Sequence, residues 1–145
     1  MANLAWCKKQ IQGIRLIEPN RLIANDYLRK AEGSLAMVEQ ASSEEWKAVG
    51  AYYAVYEAFY ALLQETGIKC EIHDCTLALL PFFSFTAEEI QLFHFLKEQR
   101  INAQYYVDRK YIVAQGNKVK ALVLACRQKM EELDLKRIRE VIRKG

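Results

Sequence analysis

Two histidines, four cysteines and one arginine set among apolar residues have the widest chemical reach in this chain. A di-metal carboxylate site in a helical protein needs Glu three residues before a histidine on each of two helices. Here Cys70 precedes His73 and Gln91 precedes His94 at that spacing, so the class is excluded. Cys70, His73 and Cys75 make a soft-ligand cluster in KCEIHDC. It lacks the fourth ligand and matching second pair of a structural zinc site. These residues are read as buried or helix-start positions, and no metal or cofactor is expected. A disulfide stays open, because it depends on redox compartment or a hyperthermophilic source, which composition does not fix. The six glycines are scattered, with no GxxxxGK or GxGxxG to cradle a phosphate. Nothing marks a nucleophile for a Ser/His/Asp or Cys/His triad, although such triads are set by geometry rather than sequence order.

The arginine is Arg100, in AEEIQLFHFLKEQRINAQYYVDRK. On a helix, Leu92, Phe93, Leu96 and Ala103 share the core face, and Arg100 projects from the same side. A guanidinium there needs a carboxylate, an open cleft or a phosphate, because a buried unpaired charge costs several kcal/mol, roughly. Two readings follow: an ion pair with an acid such as Glu57, or a phosphate-binding role. Tyr105 and Tyr106 could stack on bases, although aromatic residues at helical spacing more often serve a core or an interface. Ile90, His94, Ile101 and Tyr105 form a second stripe, as on a helix touching two neighbours, one of which could be another subunit. Arg109, Lys110, Lys118 and Lys120 add a local basic stretch that surface solvation alone would also explain.

The elements that must position these residues read as helices. Asn20 caps a helical period running to Gln40, with Leu22, Ile23, Tyr27, Leu28, Ala31, Leu35 and Val38 on one side. A capping box Ser42-x-x-Glu45 opens a second helix that Gly67 ends, with Val49, Tyr52, Tyr56, Phe59 and Leu63 on one broad face. A short helix starts at Asp74 and reaches the Pro81 region. A second box, Thr86-x-x-Glu89, opens a long helix to about Tyr106. Residues from about Tyr111 to Leu133 make another, with Val119, Leu122, Val123, Cys126 and Met130 at helical spacing. The tail from Asp134 reads as an amphipathic turn or two, the first eighteen residues are ambiguous, and no segment alternates long enough for a strand. The expected fold is all-α, an antiparallel up-and-down four-helix bundle with extra short helices.

Length and composition agree. The 145 residues suit a single domain, spanning 1–145 with its core at about 20–133 and a helical tail at 134–145. Hydrophobic residues at 52% exclude a disordered chain, and a net charge of +3 is too mild to announce nucleic-acid binding alone. Charged or amide residues interrupt every apolar run, and MANLAWCKKQ has no apolar signal-peptide region, so a cytoplasmic protein without a membrane span is expected.

The run AYYAVYEAFYALLQETGIKCEIHDCTLALL resembles the second-helix region of HEPN domains (higher eukaryote and prokaryote nucleotide-binding). In that family an aromatic- and alanine-rich helix precedes a glycine turn and a His-bearing short helix. RINAQYYVDR is similar to the segment carrying the family's Arg-x(4–6)-His motif or its Arg-x-x-Ala-Asp-Tyr variant, and GIRLIEPN is similar to archaeal leaders. The resemblance covers roughly residues 20 to 133. It implies a four- or five-helix bundle, commonly a homodimer, working with a nucleotide, RNA or a minimal nucleotidyltransferase partner in toxin–antitoxin pairs. Relatives that are metal-independent ribonucleases oppose Arg and His across the dimer cleft. Arg100 matches the family arginine, but Tyr105 stands where the nuclease motif has histidine, and Ile101 replaces a polar residue. His73 matches a position the family uses structurally.

That departure has a chemical consequence. Histidine with a pKa near ~6.5 can take a proton at neutral pH, whereas tyrosine near ~10 is only ~0.1% ionised. General acid–base help is worth roughly 10²–10⁴ in rate. The expectation is therefore a binding module with Arg100, Tyr105, Tyr106, Arg109 and Glu57 at its ligand site. The alternative is an endoribonuclease using Arg100 with Tyr105 or His94. Tyr105 is also considered as a nucleotide-attachment site, although the family tyrosine falls where this chain has Val107.

Overall fold

A computed structural model describes residues 2–145. It is mostly helical, with α1 (Leu4–Lys9), α2 (Arg21–Gln40), α3 (Glu44–Thr66), α4 (His73–Ala78), α5 (Ala87–Tyr105), α6 (Gly116–Glu132) and α7 (Leu135–Lys144). Two-residue strands β1 (Arg15–Leu16) and β2 (Ile68–Lys69) pair antiparallel, and Leu80–Phe83 forms a 3₁₀ turn after α4. Among the described residues no helix is long and apolar enough to cross a membrane.

The core is organised around α3. Sequence periodicity suggested one broad apolar face, but α3 is buried nearly all round, from Ala48 to Thr66. It packs against α2, α5, α6 and α7, and a helix covered on every side is apolar on every side. Phe59 of α3 meets Phe83, Phe85 and Phe93 edge-on, at ring separations of 5.5, 5.6 and 5.8 Å, joining the 3₁₀ turn and α5 to the central helix. Edge-to-face geometry suits the aromatic quadrupoles. On α2 the buried residues are Ala24, Ala31 and Val38, small enough for close approach to α3. Leu22 and Ile23, expected on the core side, are instead exposed, because the buried face of α2 runs through Ala24, Ala31 and Val38 at seven-residue spacing and both residues lie off it. Val119, Leu122, Val123, Cys126 and Met130 of α6 are all buried as their spacing predicts.

Helix ends follow local chemistry. Asn20 accepts from the Ile23 amide at 3.0 Å, and Thr86 with Glu89 makes a reciprocal capping box. At α3 the cap is Ser43, whose hydroxyl accepts from the Trp46 amide at 3.2 Å, so the expected Ser42–Glu45 box does not form. The short helix begins at His73, and α6 begins at Gly116 rather than near Tyr111, leaving residues 106–115 as connecting chain.

Gly67 ends α3 in a left-handed conformation, φ 92°, and a Cβ there would sit 2.5 Å from the Ile17 carbonyl oxygen. That carbonyl stands where the Ile17 amide donates back to Gly67 O at 2.9 Å, beside the strand pair. Gly67→Ala is therefore expected to cost about 1–3 kcal/mol, measured by urea unfolding. An unchanged midpoint would mean that this junction adjusts freely.

The ambiguous N-terminal segment is tied down through two adjacent residues in the last turn of α1. Cys7 and Cys75 form a disulfide across a sequence separation of 68, fixing α1 to α4. Lys8 Nζ donates to the carbonyls of Ile142, Arg143 and Gly145 at 2.9, 2.9 and 2.7 Å, capping the C-terminus of α7. The bridge takes Cys75 out of the Cys70–His73–Cys75 cluster. Cys70 and Cys126 remain buried thiols, both pushed up in pKa by desolvation.

Candidate functional site

Four residues of α5 face the core: Phe93, Leu96, Arg100 and Ala103. Arg100 is 8% exposed, as its place on the apolar face implies. The expected carboxylate is absent. Glu57 accepts a hydrogen bond from Ser34 Oγ at 2.6 Å, bridging α3 to α2, and is not a partner of Arg100. Among the described residues no Asp or Glu forms an ion pair with Arg100. The arginine points along its helix towards α5's own C-terminal turn and the tyrosines of α3, while Glu57 sits on the α2 side.

Neutral groups hold the guanidinium instead. Its Nε donates to Gln104 Oε1 at 3.1 Å and its Nη2 to Tyr105 Oη at 2.8 Å. Three tyrosine rings surround it, with Cζ 5.4 Å from the Tyr52 centroid, 5.0 Å from Tyr53 and 5.3 Å from Tyr105. Each contact of this kind is worth about 0.5–2 kcal/mol, more as water is excluded. Among the described residues Nη1 makes no hydrogen bond and is thus left as a charged donor without a partner. The lid over it is Tyr105, 60% exposed at the last position of α5.

An imidazole stands beside this cage, and it is not the expected one. His73 Nδ1 lies 2.8 Å from Tyr52 Oη, and the ring stacks on Tyr56 at 4.2 Å with an 11° tilt. Burial holds Tyr52 well above the ordinary phenol range, so it keeps its proton and is able to donate it to Nδ1 in the tautomer that carries the imidazole proton on Nε2. Burial chiefly, then the charges of Arg100 and Lys97 against an opposing effect from Asp74, lower the His73 pKa. Asp74 and Lys97 form an ion pair that ties α4 to α5.

A stability consequence follows from His73. Its folded-state pKa lies below the ~6.5 of a free imidazole, so the unfolded chain takes the proton first. This contribution is complete above about pH 6.5, shrinks as pH falls towards the depressed value and is constant below it. Wild type is expected to lose more stability than His73→Gln between about pH 7.5 and 5.5, where carboxylates stay ionised. Equal losses in urea unfolding would contradict this environment for His73.

The remaining candidates lie apart. His94 is exposed and lines a separate cavity of about 320 Å³ with Asp74, Leu77, Ala78, Pro81 and Ile90. Tyr106 and Arg109 engage each other, with Arg109 Cζ 3.4 Å from the ring centroid, and Arg109 Nη1 donates to Asn102 Oδ1 at 3.4 Å. Lys118 lines an open groove of about 580 Å³ with Leu92, Phe95 and Leu122. Of the sequence-derived set, Arg100 and Tyr105 therefore meet, while Glu57 is directed elsewhere. Tyr52, Tyr53 and Gln104 join the cage, and His73 stands behind Tyr52, without having been expected there. Gln104 had a signal, since it follows Arg100 by four residues on one helix.

Comparison with protein-family models, with curated proteins and with solved structures gives no match to this chain.

Proposed function

We propose that this protein is a HEPN-like binding module, its long helices α2, α3, α5 and α6 forming an antiparallel up-and-down bundle. In this reading it acts as a homodimer on a nucleotide or RNA, with a minimal nucleotidyltransferase as a further partner, and it does not cleave RNA. The observation that carries the reading is Arg100: a core guanidinium with no carboxylate, held only by neutral oxygens and tyrosine rings, with one amino group free. Burying such a charge opposes stability unless an anion completes it. A phosphate offers that anion, and arginine's planar donors suit it. Tyr105, exposed at the rim, supplies a surface on which a base can stack.

One observation favours the nuclease alternative. His73 meets the hydroxyl of Tyr52 at 2.8 Å, and the Tyr52 ring lies 5.4 Å from the Arg100 guanidinium carbon, so an imidazole stands one side chain away from the arginine despite Tyr105 in the motif position. His94, by contrast, lines another cavity. Both readings meet one test, incubation with single-stranded RNA in EDTA followed by native and denaturing gels. The binding reading predicts a retarded complex, intact RNA and loss of the complex in Arg100→Met. Fragments ending in 2′,3′-cyclic phosphate would favour the nuclease, and neither complex nor fragments would count against both.

A further inference from the structure

We propose that His73 is a second, proton-linked contact for the anion held by Arg100, so that the site binds oxyanions more tightly as pH falls. This rests on the reading of Arg100 as an anion seat and adds a residue and a regulation to it.

Tyr52 connects the two groups. Its hydroxyl meets His73 Nδ1 at 2.8 Å, while its ring lies 5.4 Å from the Arg100 guanidinium carbon. With Nδ1 accepting from the phenol, the imidazole proton sits on Nε2, because a neutral imidazole carries one N–H. Nε2 has no hydrogen-bond partner within the described chain and is not among the fully buried unpaired atoms. Arg100 Nη1 likewise has no hydrogen-bond partner among the described residues, and Tyr52 contacts both the imidazole and the guanidinium. The ring cannot turn away easily, because it stacks on Tyr56 and its helix is bound to α1 through Cys75 and to α5 through Asp74 and Lys97.

The charges around His73 explain why an anion would change its proton affinity. Arg100 and Lys97 face it from α5, Tyr52 and Tyr56 from α3, and Asp74 follows it on α4. Asp74 is engaged by Lys97, so the uncompensated charge near the ring is that of Arg100. An oxyanion seated on Arg100 neutralises that charge and makes His73 easier to protonate. Protonation in turn adds a positive charge beside the anion and turns Nδ1 into a donor to Tyr52 Oη. Proton and anion binding are therefore reciprocal, each strengthening the other.

The probe is inorganic sulfate, whose charge is constant between about pH 5 and 8 where the imidazole titrates. Titrations monitored by NMR are expected to give about tenfold tighter binding at the acidic end, as a one-unit rise in the His73 pKa on binding requires. His73→Gln is expected to bind more weakly and without this pH dependence, and Arg100→Met not to bind. The His73 ring-proton resonance of wild type gives an independent reading, with a midpoint that sulfate raises. Equal pH dependence in wild type and His73→Gln, or a midpoint that sulfate leaves unmoved, overturns the proposal and leaves Arg100 as an anion seat. Absence of sulfate binding by wild type at every pH overturns the anion-seat reading and this proposal with it.

Discussion

Cys7→Ala combined with Cys75→Ala is expected to lower stability by about 4 kcal/mol. The bridge closes a loop across 68 residues, and the chain-entropy relation for a loop of that length gives this value. At about 2–4 °C per kcal/mol for a domain of this size, the melting temperature should fall by roughly 10 °C. Residual clamps moderate any local effect: Lys8 still caps α7, and β1 still pairs with β2. The expected signature is therefore a lower midpoint with one cooperative transition, seen alike in the double variant and in wild type kept reduced. A loss below about 1 kcal/mol would mean that α1 is already constrained in the unfolded ensemble. The bridge also bears on location, since such bonds persist in oxidising compartments or in hyperthermophilic cytoplasm.

The second large effect separates binding from stability at Arg100. An arginine serving only as a buried ion pair would lose about 3–5 kcal/mol when one partner is removed. Arg100 has no such partner, so Arg100→Met exchanges a costly buried charge for an apolar side chain of similar reach. It forfeits two hydrogen bonds to neutral oxygens and the ring contacts, each worth on the order of 1 kcal/mol. These losses and the relief of desolvation nearly cancel, and the melting temperature is expected to move by no more than a few degrees in either direction. Phosphate or RNA binding, in contrast, should fall by at least about tenfold, the cost of one charge-assisted hydrogen bond. A fall of ten degrees or more would reassign Arg100 to a structural role.

These two cases mark what could be read from the sequence. Arg100's burial was legible because helical periodicity places it with Phe93 and Leu96. Its surroundings were not. Tyr52 and His73 reach it from α3 and α4, and no spacing rule links residues brought together only by packing. Glu57 was the natural partner by charge alone, yet rotation about the α3 axis turns it to Ser34. The helices at Asn20, Thr86 and Gly67 were legible because caps are local chemistry. The strand pair was not, since two residues carry no alternation. The disulfide escaped for a related reason: Cys7 and Cys75 carry no spacing motif, and only the docking of α1 against α4 brings their Cα atoms to 5.6 Å.

The most direct test of the anion seat watches the Arg100 guanidinium itself. Its Nε–H resonance, assigned by its disappearance in Arg100→Met, can be followed by NMR while a short single-stranded RNA is added. The account predicts that this resonance shifts in step with saturation, because the phosphate joins the group already held by Gln104 and Tyr105. An RNA that binds and shifts surface resonances while leaving Arg100 unmoved would contradict it.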